Sequence, residues 1–178
     1  MDTHVRVERY GPGDEVDDPR PGDFLLIRGH SWASRLIHAA ERTRPREQRP
    51  FGRWSHSALV VRRDGLLAEV LNTGVVLRPV SRCRGEEYHY VRLDQPLAQA
   101  LLAAHYALSC VGQPYRHLSA VRLGWNVVTR CPIRVRDRGH QVCAALVGRA
   151  LERAGHRFAE RPHEMMAADL ARHFGVTP

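Results

Sequence analysis

The sequence predicts an α+β domain in which helices pack against a central antiparallel sheet. Three observations predict it. Short β-rich runs bounded by Gly, Asn and Asp are grouped between residues 24 and 93, helical periodicity takes over from Pro96 onward, and no internal repeat or low-complexity segment interrupts either block. At 178 residues the chain has the length of one domain with a sizeable core.

The elements follow in order. Residues 1–21 are rich in Asp, Gly and Pro and read as an irregular lead-in, so the domain is expected over 22–178. Residues 24–27 form a short apolar run. Ser31 then caps an expected helix whose apolar side holds Trp32, Leu36, Ile37 and Ala40. ERTRPREQRPFGR, the densest arginine cluster, combines proline with charge and reads as an exposed loop. SHSALVV (55–61) and LLAEVL (66–71) are two strands joined by an Asp64-Gly65 hairpin turn, and residues 75–78 and 88–93 are further strands. After Pro96, placed at a first helical position, Leu97, Ala100, Leu101, Ala104 and Leu108 share a helix face that Gly112 ends. Residues 117–138 carry no clear period. HQVCAALVGRALERAG (140–155) is a helix with Val142, Leu146, Val147, Ala150, Leu151 and Ala154 at helical spacing and Gly155 as its stop. A last helix is expected over 164–174, before Gly175.

Composition narrows the classes of function. No stretch is long and apolar enough to cross a bilayer, and the N-terminus lacks the basic-then-apolar plan of a secretory signal, so a soluble, cytoplasmic protein is expected. Four cysteines, Cys83, Cys110, Cys131 and Cys143, show no CxxC spacing and are expected as free thiols. The net charge is +8 and every basic residue is arginine, which suits contact with carboxylate or phosphate groups. A GC-rich coding sequence gives the same bias, and the arginines are dispersed.

Cys143 stands in the first turn of its helix. That end carries partial positive charge and free amide donors, which favour a thiolate and hold an oxyanion; a small buried hydrophobe is the plainer reading of a cysteine there. A nucleophilic cysteine needs a base and a group to orient it. Of the eleven histidines, His56 opens a strand beside Ala58 and Val60, and His140, three residues before Cys143, is the local rival. His38, His105 and His173 lie in helical segments with no evident chemical role. Glu69, between apolar neighbours in LLAEVL, is costly to bury unless it is paired. A two-residue turn at Asp64-Gly65 sets Glu69 opposite Val60 and Thr73 opposite His56. Strand twist, a bulge or a longer turn would bring Glu69 to the imidazole; otherwise Thr73 is the orienter. A metal site on His140, Cys143, Cys131 and another histidine is the weaker rival, since its spacing fits no common pattern.

These pieces resemble the papain-like hydrolases of the NlpC type. VCAALVGRALERAG is similar to the cysteine helix of that family, SHSALVV to its histidine strand and LLAEV to the strand of its third polar residue. Their order here is reversed, as in the circularly permuted YiiX/YebB-like branch, whose GDFLLIRG, SWASRLI and VGQPYR segments this chain also resembles, over residues 22–171. The resemblance implies a permuted papain-like fold with Cys143 as nucleophile, His56 as base and Glu69 as orienting group. It also implies that Tyr115, in GQPYR, lies by the cysteine and helps hold an oxyanion. His-Gln-Val precedes Cys143 where the family usually has aspartate, and Ala144-Ala145 replace Ser-Gly. The implied activity is hydrolysis or acyl transfer at an amide of a peptide, acyl-amine or lipid amide through a thioester, with no cofactor or metal. The alternative is a non-catalytic basic module that binds an anionic membrane or nucleic acid; no helix-turn-helix, zinc-finger or aromatic-basic signature supports it.

Overall fold

The structure, a computed structural model, describes residues 4–28, 46–114 and 143–177. Among these, six strands form one antiparallel sheet: β1 (Val5–Tyr10), β2 (Phe24–Arg28), β3 (His56–Val60), β4 (Leu66–Leu71), β5 (Gly74–Pro79) and β6 (Glu87–Leu93), in the order β1-β6-β2-β3-β4-β5. Three helices accompany them: α1 (Leu97–Ser109), α2 (Cys143–Arg153) and α3 (Ala167–His173). The fold is α+β. No helix of the described residues is long and apolar enough to cross a membrane. The helix expected from Ser31 lies outside the described residues.

The unbroken apolar run of β2 reflects burial on both of its faces. Phe24 and Leu26 join a core with Leu59, Val91 and the helix residues Leu146, Val147, Leu151 and Leu170, while Leu25 and Ile27 join Ala58, Val60, Leu67, Tyr88 and Tyr90 on the opposite face. Helix α2 lies over β3 and β4 and packs against α1. Its side of the sheet therefore holds Leu59, and the other side holds Ala58.

Four expectations change. Residues 5–10, expected within an irregular lead-in, form edge strand β1, paired with β6 from Val5↔Leu93 to Tyr10↔Tyr88. VRVERY alternates apolar and charged residues, and Val5 and Val7 pack on the main core. In the 46–53 segment the expected loop is a 3-10 helix, Arg46–Arg53. Helix α1 starts at Leu97 with Pro96 as its cap and buries Ala100, Ala103, Ala104 and Ala107, while Leu97 and Leu101 stay 58% and 48% exposed. Alanines without long side chains allow α2 to come close, which turns the helix away from the leucine face that periodicity suggested. Helix α3 begins at Ala167, not at residue 164, because the buried Asp169 carboxylate accepts a hydrogen bond from the Met166 amide at 2.8 Å and fixes the start there.

The β3–β4 hairpin decides what meets what. Val61 N donates to Leu66 O at 2.8 Å, so residues 62–65 all belong to the loop, with Gly65 at φ 79° and its amide bonded to Arg62 O at 3.2 Å. This longer turn moves the register by two residues. Ala58, not Val60, faces Glu69, and Val60 faces Leu67.

Candidate active site

Register brings the polar groups together. Glu69 stands opposite Ala58 on β3 and opposite Val76 on β5, so His56 and Arg78 are its diagonal neighbours on one face of the sheet. Long side chains close both diagonals. His56 Nε2 lies 2.7 Å from Glu69 Oε2, and Arg78 Nη1 lies 3.3 Å from Glu69 Oε1. Thr73, the other candidate orienter, is an exposed residue of the β4–β5 turn. Both carboxylate oxygens are thus engaged, which answers the cost of an acid amid apolar strand residues.

Cys143 is the first helical residue of α2 and is half-buried. His56, as the first residue of β3, stands at the end of the sheet, where it engages Glu69 on its own face and also Cys143 by charge and hydrogen bonding. Burial pushes the imidazole's pKa down, but the sulfur and Glu69 outweigh it and raise the value to about 10. Burial pushes the Cys143 thiol up; His56, followed by the amide and hydroxyl of Ser57, brings it below the ordinary thiol value. Glu69 is likewise lowered: burial opposes this, and His56, Arg78 and Arg82 prevail. Such a set favours a thiolate–imidazolium pair backed by a carboxylate.

Three contributors were not among the candidate residues: Arg82, which acts on Glu69 by charge alone, Arg78 and Ser57. Arg78 sits two residues from Val76 on β5 and so shares the Glu69 face, a placement that the alternation of GVVLRP already contains. Ser57 follows His56 and points to the α2 side. It is fully buried, and its Oγ meets no partner at full hydrogen-bond geometry among the described residues. The doubled serine of SHS was the available signal.

The other cysteines differ. Cys83 is buried, and burial with Glu69 and Glu86 nearby pushes its thiol up to about 12. Cys110 is buried as well. Tyr115, Cys131, His140 and His38 lie outside the described residues. His105 and His173 are exposed on α1 and α3. Among the described residues, no group of three or more His, Cys, Asp or Glu side chains is placed to hold a metal ion. Part of the positive charge is engaged internally, as in Arg92 with Glu8 at 2.7 Å and Arg53 with Glu87 at 2.5 Å.

No protein-family model matches the chain, and no curated protein matches its sequence.

Proposed function

We propose that this chain is a cysteine hydrolase or acyltransferase acting on an amide of a peptide or N-acyl amine, on a circularly permuted NlpC-type papain-like domain. The observation that carries the reading is the chain of contacts Cys143–His56–Glu69, with the thiol's pKa lowered and the imidazole's raised. Three motifs in permuted order support the family, and the antiparallel sheet with the cysteine helix laid over it is compatible with that fold.

In this mechanism His56 gives Nε2 to Glu69 and keeps Nδ1 for Cys143. The sulfur attacks the carbonyl carbon and forms a C–S bond while the carbonyl π electrons move to oxygen. The Cys143 amide at the helix start stabilises that oxyanion, and the family resemblance assigns the second donor to Tyr115, which lies outside the described residues. When the tetrahedral species collapses, the C–N bond breaks and His56 delivers its proton to the departing amine. Water, deprotonated by the now neutral imidazole, attacks the thioester and releases the acid; an amine or alcohol in its place completes acyl transfer.

Alkylation by iodoacetamide at pH 6, read by peptide mass spectrometry, tests the reading. Cys143 should react at least about tenfold faster than Cys83, which is buried with its pKa pushed up, and Cys143→Ala should remove the fast site. Equal, slow reaction at every cysteine would overturn it and leave the anion-binding module as the better account.

A further inference from the structure

We infer that an open groove between β1, β6 and the 46–53 turn is a binding site for a small oxyanion, a carboxylate or phosphate group, held by Arg53 and His89. The groove encloses about 410 Å³ and is lined by Arg9, Tyr10, Gly11, Arg53, Glu87 and His89. It is separate from the residues that carry the Cys143 chemistry and does not depend on that reading.

The first support is a concentration of unmet donors. Four buried side-chain polar atoms have no hydrogen-bond partner among the described residues, and three of them belong to adjoining residues: Arg53 Nε and His89 Nδ1, whose residues line the groove, and Trp54 Nε1 behind them. Trp54 and His89 are in ring contact, with centroids 4.4 Å apart, and His89 is only 2% exposed while lining the groove. With the proton on Nδ1, all three atoms are donors, and what they lack is an acceptor.

The second support is charge. Glu87 also lines the groove, but arginine already holds it: Arg53 Nη2 lies 2.5 and 2.7 Å from its two oxygens and Arg28 Nη1 lies 3.1 Å from Oε2. Arg9 stands directly across from His89 in the β1–β6 pair. Among the described residues Arg28 and Arg53 therefore share one carboxylate, and the surplus of that cluster is positive. His89 reports the same balance. Burial first, then Arg9 and Arg53, lower its pKa to about 4, with Glu87 opposing. Neutral at ordinary pH, the imidazole donates without adding charge, and a bound anion would cancel the arginine field around it.

Solution NMR on the full chain tests this, reading the His89 imidazole and the Trp54 indole while inorganic phosphate or acetate is added at pH 6.5 and constant ionic strength. Saturable shifts at millimolar anion are expected, together with a rise of about one unit in the His89 pKa, tenfold in proton affinity. Saturation by phosphate alone assigns a phosphate ligand, by acetate alone a carboxylate, and by both an oxyanion in general. Arg53→Gln should weaken binding at least about tenfold, and Glu87→Gln, which removes the competing acceptor, should tighten it several-fold. Absence of saturable shifts with either anion overturns the inference. So does binding that Arg53→Gln leaves intact, or, where that variant fails to fold, binding that Glu87→Gln does not tighten.

Discussion

His56 and His89 belong to one sheet, and each is removed from most solvent, yet they end in opposite states. Ile27 is paired with His56 on one side and Tyr88 on the other, and Leu26 likewise with Ser57 and His89, so the two histidines sit in adjacent cross-strand rows. Burial lowers the pKa of both. At His56 a thiol and a carboxylate reverse that effect and raise it to about 10; at His89 two arginines reinforce it and the value falls to about 4. Burial makes a histidine's neighbours decisive, and the neighbours choose its charge.

The largest expected break in this contrast comes from removing its charged partner. His56→Ala should return the Cys143 thiol to the ordinary range and slow its alkylation at pH 6 by roughly a hundredfold, measured against the intact chain. Acid should sharpen the other side. Because His89 has a folded pKa below its unfolded one, its contribution to stability is present above about pH 6.5 and is lost as pH falls toward 4, so chemical denaturation should show a loss of about 2 kcal/mol near pH 4.5. His56 has the reverse sign: its contribution is full below about pH 6.5 and disappears as pH rises through about 10.

Smaller effects separate orientation from charge. Glu69→Gln keeps the shape at the second strand but withdraws the negative charge behind the imidazole, so the thiol's apparent pKa should rise and alkylation at pH 6 fall by about tenfold. Arg78 would lose its partner in the same variant. Ser57→Ala should have the smallest effect on reactivity, a several-fold decrease seen as an upward displacement of the alkylation pH profile. Its stability should hold or rise slightly, since a buried hydroxyl lacking a full hydrogen bond is relieved. Reactivity and melting temperature moving down together would show a structural role instead.

Much of this was legible before any geometry. Period two over LLAEVL and HSALV, and period 3.6 over CAALVGRALER, fix those elements because burial on one face or two leaves a direct trace in residue order. Glu69 stood out for the same reason, as an acid where the pattern demands apolar residues. What could not be read was register. Asp64-Gly65 looks like a two-residue turn, but Arg62 and Arg63 carry no signature that excludes them from the strands, and one longer loop decides whether Glu69 or Thr73 serves the histidine. The leucine face of α1 misled because helix periodicity marks apolar residues without saying which of two adjoining stripes a neighbouring helix will cover. Residues 5–10 were hidden by their charge, since an edge strand buries only every second side chain. The His89 groove gave no sequence signal, because its donors come from a turn and two strands far apart in order.

His56 and Glu69 are thirteen positions apart on a single hairpin, while Cys143 arrives on a helix much later in the chain. During synthesis the hairpin is complete well before Cys143 leaves the ribosome. Docking of α2 then brings to this pair the thiol that raises the imidazole's pKa and whose own pKa the imidazole lowers, so the proton affinities of both groups are set only once the last helices of the chain have packed on the sheet.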